Sequence, residues 1–229
     1  MGTMTSPRKA VPAAMVVCLG LFVSACSTSS RVVDFARNEQ LYVDVPFQTK
    51  APGDRPVFVA PVADVRTAKD LPRQDRGFPI TYGTDEVWER PVTEMVGEVL
   101  QRQFQNSGLF PAVVDAPTPD ALVIKPILVS FLEGEASAIA GTSAFAEVAL
   151  KVQVFGPADA SGKRTILHEE TYGNRQASEP SLKPISAYRL VALALQVSVG
   201  KTLVGLDSSN CSRSQVPVAV PLDVAVPAK

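Results

Sequence analysis

Histidine and serine-hydrolase signals are scarce in this chain of 229 residues, and the scarcity limits its chemistry. The sequence has one histidine, His168, and it contains neither a G-x-S-x-G elbow nor an H-E-x-x-H zinc motif. A Ser-His-acid system needs its histidine in a pocket beside an activated serine. We therefore predict that the protein is not an enzyme, and a lipid-anchored hydrolase built on His168 is the least favoured alternative.

Patterns for binding phosphate groups are missing as well. Neither G-x-G-x-x-G nor a Walker P-loop occurs, so the sequence gives no support for nucleotide chemistry. The net charge is −1, and removal of residues 1–25, which hold two basic residues and no acidic one, changes it to −1 − 2 = −3. Nucleic-acid binding needs a clustered basic surface, which this balance does not indicate. We expect no cofactor, no metal ion and no nucleic acid among the ligands.

The apolar run near the N-terminus is too short for a membrane span. It covers residues 10–23, contains Pro12, and is followed by a polar cluster at residues 24–30. A transmembrane helix needs about 20 apolar residues. The basic pair Arg8 and Lys9 before the run and the small residues after it are typical of a secretory signal. We predict a signal peptide over residues 1–25.

The tetrad that follows the apolar run, Val23-Ser24-Ala25-Cys26, resembles the lipobox of bacterial lipoproteins. The resemblance implies a diacylglycerol on the Cys26 thiol, cleavage before this cysteine, and acylation of its new amino group. Stable anchoring needs two acyl chains, so three would make the attachment effectively permanent. Ser27 rather than aspartate comes next, which in this class implies the outer membrane, with the protein facing the periplasm.

Cysteine is rare, and the lipoprotein interpretation leaves few thiols. Cys18 would leave with the signal and Cys26 would carry lipid, so Cys211 would be the one remaining thiol. No disulfide within the mature chain is then possible. Because Cys211 lies in the polar, turn-like stretch SSNCSRS, we predict an exposed thiol.

The rest of the sequence predicts one folded domain over residues 56–206. The order of elements is β-α-β-β-β-β-α, with antiparallel strands, which predicts an α+β two-layer sandwich with a mostly antiparallel sheet and two helices on one face. Residues 26–55 are predicted to be the lipid anchor and tether. Residues 207–229 are predicted to be an extended or disordered tail.

The elements of this domain follow from local patterns. Residues 57–65 are apolar and β-branched, and residues 143–155 alternate between apolar and polar, so both predict strands. Pro91 marks the start of an amphipathic helix that stops at Gly108. Ser186 is the N-cap of a second helix, which is predicted to run to about Leu206. Pro126 lacks a donor for the sheet and predicts an edge position or a bulge in its strand.

Two aromatic residues, Tyr82 and Trp88, lie at the end of the predicted long loop Arg66–Thr84 and precede the first helix. Loops of this length are usually functional or disordered. A loop aromatic in this place is a candidate for binding a partner. The alternative is a hydrophobic staple that closes the start of the helix.

Several segments together resemble the ABC-type transport auxiliary lipoproteins, the outer-membrane partners of MCE-type lipid transport systems. They are VFVAPV at 57–62, VWERPVTEMVGEVLQRQFQNSGLF at 87–110, DALVIKPILVSFLEGE at 120–135 and FAEVALKVQVF at 145–155. The chain departs from that family in having only EQLYVDV where a Tyr-Arg-Leu-like segment is usual. Its long loop and Val-Pro tail are further departures.

The resemblance implies a non-catalytic component that binds an MCE-domain or ABC transporter component and couples lipid passage to the outer membrane. Recognition would use an exposed sheet edge or the long loop. A competing resemblance is to YajG-like lipoproteins, whose strand ends in Asp-x-Arg, as Asp64-Val65-Arg66 does here. It implies an envelope lipoprotein of unassigned role.

Overall fold

A computed structural model describes residues 33–66, 73–75, 78–82, 88–138, 141–179 and 186–213. Signal peptide, Cys26 and most of the predicted tail lie outside these residues. Within them the chain forms ten elements: β1 (Val57–Val59), β2 (Ala63–Asp64), β3 (Arg73–Asp75), β4 (Phe78–Tyr82), α1 (Val92–Ser107), β5 (Val113–Val114), β6 (Leu122–Ala138), β7 (Gly141–Phe155), β8 (Ile166–Ala177) and α2 (Ala187–Ser209). The predicted α+β class is confirmed.

The strands join one open, mixed sheet. The long strands β6, β7 and β8 are antiparallel neighbours, and β4 pairs antiparallel with the far half of β6. The expected antiparallel block is incomplete, because β1 lies parallel to both β5 and β6. The physical reason is the connection: β1 reaches β5 through α1, and a crossover helix returns the chain in its original direction.

Period-two alternation builds one apolar face on the sheet. Val148, Leu150, Val152 and Val154 of β7 are fully buried, and the alternate residues between them are only half-buried. Both helices contribute buried residues to the same core cluster as this face. The Ser198 hydroxyl of α2 donates to the Val148 carbonyl at 3.0 Å, which places the helix directly over β7. The sandwich therefore has the two layers that the sequence predicts.

The first helix begins and ends as expected. Pro91 immediately precedes Val92, and Gly108 adopts φ 71°, the left-handed conformation that ends a helix at low cost for glycine. The second helix, α2, has 23 residues and is long and apolar enough to cross a membrane. More than half of its most apolar window, 56%, is buried inside the domain. Packing against the sheet accounts for that apolarity.

Pro126 lies in β6, a central strand and not an edge. The carbonyls of Ile124 and Leu128 accept hydrogen bonds from Ala60 and Val65, so this set of alternate residues turns its backbone groups toward β1 and β2. Pro126 belongs to the same set and lies opposite the gap between these two short strands. A backbone N–H donor is not needed there, so proline is tolerated. The bulge that the sequence predicts occurs nearby, between Leu128 and Ser130.

Residues 33–50, which we call the strap, are packed onto the domain. Phe35 and Tyr42 are 1% and 2% exposed and belong to the core. Gln103 of α1 accepts a hydrogen bond from the Val45 amide, and Gln196 of α2 donates to the Val43 carbonyl. This part of the predicted tether is therefore folded, and the domain extends at least from Val33.

The far end of the domain also extends past its predicted limit at residue 206. Helix α2 continues to Ser209, and Asn210 with φ 53° ends it. Thr49 of the strap donates to Asp207 at 2.7 Å. Cys211 is 8% exposed, so the predicted exposed thiol is wrong: the turn folds back and buries the sulfur beneath the end of α2.

The predicted loop Arg66–Thr84 contains two strands. Strands β3 and β4 pair antiparallel, from Arg73 with Ile80 to Asp75 with Phe78. Through β4 this pair extends the sheet beside the second half of β6. The turn-forming residues that indicated a loop are therefore compatible with short paired strands.

Candidate functional site

Trp88, a predicted partner-binding residue, lies inside the domain. Its side chain is 5% exposed. Its ring centroid is 5.4 Å from that of Phe35, 5.7 Å from that of Phe131 and 5.3 Å from that of Tyr188, all in edge-to-face arrangements. The strap, β6 and α2 thus meet at this indole. A buried ring cannot contact a partner, so the packing alternative describes Trp88.

The other predicted site residues are not brought to Trp88. Tyr82 is the last residue of β4, and its side chain lies outside the described part of the structure. Cys26 lies outside the described residues altogether. The described part of the chain contains no cluster of His, Cys, Asp or Glu that is suited to a metal ion.

A polar cluster lies on the helix-facing side of β8, and it was not predicted from the sequence. His168 Nε2 is 2.8 Å from the Tyr172 hydroxyl oxygen, and this hydroxyl donates to Glu170 at 2.9 Å. The imidazole and phenol rings are stacked, 6.3 Å apart. These residues are separated by two positions each, and this spacing in a strand puts side chains on one face. The period was visible in ILHEETY and would have identified the cluster.

The surroundings of the Tyr172 hydroxyl favour its protonated form. Burial raises the pKa of Tyr172, and the hydrogen bond to Glu170 raises it further. The phenol therefore stays protonated and points its hydrogen at the carboxylate. With the phenol hydrogen on Glu170, the contact between His168 Nε2 and the phenol oxygen fits the imidazole tautomer that carries its hydrogen on Nε2. We assign the cluster a structural role, which is to fix the Tyr172 ring beneath α2.

Gly205 of α2 makes room for that ring. A Cβ at this position would lie 2.6 Å from Tyr172 Cζ and 2.7 Å from its Cε1. Such distances are shorter than van der Waals contact, so only glycine allows the helix to approach β8 this closely. The approach sets the height of α2 above the edge of the sheet.

A groove of about 760 Å³ runs beside α2 along the edge strand β8. Backbone and side chains of residues 170–173 form one wall, and Val45 and Pro46 of the strap form part of the other. Its floor is the outer side of α2, including Val197, Gly200 and Val204. Two charged residues line it, and each has a partner: Lys201 Nζ donates to the Gly173 carbonyl at 2.7 Å, and Glu170 accepts a hydrogen bond from the Tyr172 hydroxyl at 2.9 Å. The groove is thus mainly apolar and open, and among the described residues it is bordered by the edge of the sheet.

Comparisons with known proteins give likenesses to solved structures. No family model matches this chain, and no curated protein matches it. The crystal structure of protein XCC0632 from Xanthomonas campestris, described under the family DUF330, is 15% identical with a TM-score of 0.48 and covers 73% of this chain and 94% of its own. The hypothetical protein CT253 from Chlamydia trachomatis is 14% identical with a TM-score of 0.46, covering 71% and 99% respectively. Neither description names an activity, so the chain is similar to two proteins whose descriptions assign no function.

Proposed function

We propose that this protein is a lipid-anchored component of the bacterial outer membrane that faces the periplasm and binds a partner of an envelope lipid transport system. It acts by holding that partner, an MCE-domain or ABC transporter component, and not by catalysis. The proposal rests on the lipobox at Cys26 and on the resemblance of the segments between residues 57 and 155.

One structural observation carries the proposal: the chain is already part of the folded domain at Val33. Val33 already pairs with Trp88, and Asp34 forms an ion pair with Arg90 at 2.7 Å. Only 33 − 26 = 7 positions separate Val33 from Cys26. Seven extended residues span about 24 Å at most. With lipid on Cys26, the domain would stay within that distance of the bilayer, where a membrane-associated partner is reached.

The spacing between anchor and domain gives the test. We would insert 20 Gly/Ser residues after Ser29 in the full-length chain and compare it with the wild type and with Cys26→Ser. The insertion should keep the outer-membrane attachment but weaken co-purification with the MCE-domain protein, because the domain is no longer held close to the bilayer. Cys26→Ser should lose the attachment.

Two results would contradict the proposal. Normal outer-membrane attachment of Cys26→Ser would exclude the lipid anchor. Absence of both an MCE-domain protein and bound lipid from the wild-type preparation would exclude the transport role. In that second case the alternative stands, a YajG-like envelope lipoprotein of unassigned role, which the Asp64-Val65-Arg66 strand end favours. In this chain Arg66 Nη2 forms an ion pair with Asp64 at 2.9 Å.

A further inference from the structure

The outer edge of β8 is open among the described residues, where β8 pairs with β7 alone. The strand has 12 residues, and a long exposed edge readily pairs with another chain. Along β8 the backbone N–H and C=O groups of successive residues point alternately toward β7 and outward, and two hydrogen bonds show which residues point which way. The Ser178 amide donates inward to Ala144 of β7, and the Gly173 carbonyl points outward to Lys201. The outward backbone groups are therefore those of the odd-numbered residues, including Glu169 and Thr171.

This edge is complementary to itself in one antiparallel register. A two-fold axis at Tyr172 pairs residues whose numbers sum to 344, so Glu169 lies opposite Arg175 of the second copy and Thr171 opposite Gly173. Both charged side chains are exposed on the sheet face away from the helices. Opposite charges in directly opposed positions stabilise strand pairs. A slip of two residues places Glu169 opposite Gly173 or Ala177, which carry no charge.

The charges are suitably placed even though each has contacts within its own chain. Glu169 forms an ion pair with Lys151 at 2.7 Å, and the Arg175 guanidinium lies over the Phe145 ring at 5.7 Å. The second copy would add Arg175 beside Glu169, so that the carboxylate lies between two cations. The same contact occurs twice because the axis is two-fold.

The helices fit the same arrangement. Helix α2 lies over both β7 and β8, since Ser198 bonds to Val148 and Gly205 packs on Tyr172. With strands about 4.8 Å apart, the two α2 axes would lie about 10 Å apart, which is the separation of packed helices. The faces brought together include Val197 and Val204, and Val204 is 55% exposed in the single chain.

We propose that this chain forms a two-fold symmetric dimer through β8, with Tyr172 of both copies at the axis. The sheet continues from one copy into the other, and the α2 helices close over the groove. Lys201, which lies at Gly173, would meet the second copy's Thr171 and its neighbour Glu170. This dimer does not depend on the proposed transport role, because it follows from the β8 sequence and its alternation alone.

A disulfide trap tests the register. In the proposed dimer Glu170 lies opposite Asn174 as a non-hydrogen-bonded pair with Cα atoms about 4.5 Å apart, within the range of a disulfide. Within one chain these residues are four apart in a strand, about 13 Å, and cannot bond. The full chain with E170C and N174C, oxidised in detergent, should run as a covalent dimer on non-reducing gels. Each single variant, and the register control E170C with Q176C, should not.

Sedimentation velocity of the full chain in detergent tests the edge itself. Thr171→Pro removes an outward N–H and leaves pairing with β7 intact, so it should convert the dimer to monomer. Glu169→Arg places like charges opposite each other and should raise the dissociation constant about ten-fold, and adding Arg175→Glu should restore it. Circular dichroism distinguishes a lost dimer from a lost fold. If Thr171→Pro does not fold, the comparison of Glu169→Arg with the double variant Glu169→Arg, Arg175→Glu tests the dimer.

The overturning results are specific. A wild-type chain that is monomeric throughout, a dimer unaffected by Glu169→Arg and by Thr171→Pro, or equal cross-linking of the register control would each refute the dimer. If the chain dimerises only after its tail is removed behind Arg213, then the tail covers β8 in the full chain. That result would refute the dimer too. Loss of the MCE-domain partner with an intact dimer refutes the proposed function alone.

Discussion

At the scale of single residues, two glycines of α2 differ in what surrounds them. A Cβ at Gly205 would enter the Tyr172 ring, which His168 and Glu170 hold in place. A Cβ at Gly200 would have Val45 Cγ1 as its nearest neighbour, at an ordinary 3.5 Å. The same substitution should therefore have opposite effects five positions apart in one helix.

We predict that Gly205→Ala lowers the free energy of unfolding by about 1–3 kcal/mol, because overpacking forces the ring or the helix to move. Gly200→Ala should leave stability unchanged or raise it by up to about 1 kcal/mol, since alanine favours the helix. Urea unfolding followed by circular dichroism measures both. A Gly205→Ala variant as stable as Gly200→Ala would show that the ring is not held as described.

Cys211 gives a second prediction at this scale. Burial raises the pKa of its thiol, so at pH 8 the folded chain holds less thiolate than an unfolded chain does. A thiol reagent should thus label Cys211 slowly in the native protein and rapidly in urea. The raised pKa also means that the thiol's contribution to stability is present below about pH 8.5 and falls as the pH rises above that value. Equal labelling rates in both states would contradict the burial.

At the scale of elements, the strap contributes to stability through few side chains. Phe35 is buried against Trp88 and Phe131, whereas Val43 in the same segment is 61% exposed. We predict that Phe35→Ala costs about 3–5 kcal/mol and that Val43→Ala changes stability by less than about 0.5 kcal/mol. Thermal unfolding of the two variants checks this. Comparable losses would mean that the segment is held mainly by its backbone.

Elements with a strong internal period were predictable and the strap was not. The apolar stripe of α1 and the alternation of β7 are local patterns, so their bounds follow closely from the sequence. The strap shows neither period. Val45 bonds to Gln103 and Thr49 to Asp207, partners 58 and 158 positions away, and such contacts leave no mark on a local pattern. Trp88 was ambiguous for the same reason, since its neighbours come from three distant segments.

At the scale of the whole molecule, the C-terminal end of the described domain is bonded to the segment that follows the strap. Asp54 donates its amide to the Ser212 carbonyl at 3.2 Å, and Arg213 forms an ion pair with Asp207 at 2.8 Å. We predict that a chain ending at Leu206 is less stable than one ending at Arg213 by about 2 kcal/mol or more, because it loses buried Cys211 and the Thr49–Asp207 hydrogen bond. Urea titration of the two shortened chains measures the difference. Equal stabilities would restore residue 206 as the end of the domain.

The packing of the strap onto α2 also determines when the core can form during synthesis. The ribosome makes the strap first and α2 late, so Phe35 and Tyr42 have no complete core to enter until α2 has been synthesised. Contacts between residues so far apart close slowly. Until then the chain carries an exposed segment with the aromatic side chains of Phe35 and Tyr42, the kind of sequence that a chaperone binds.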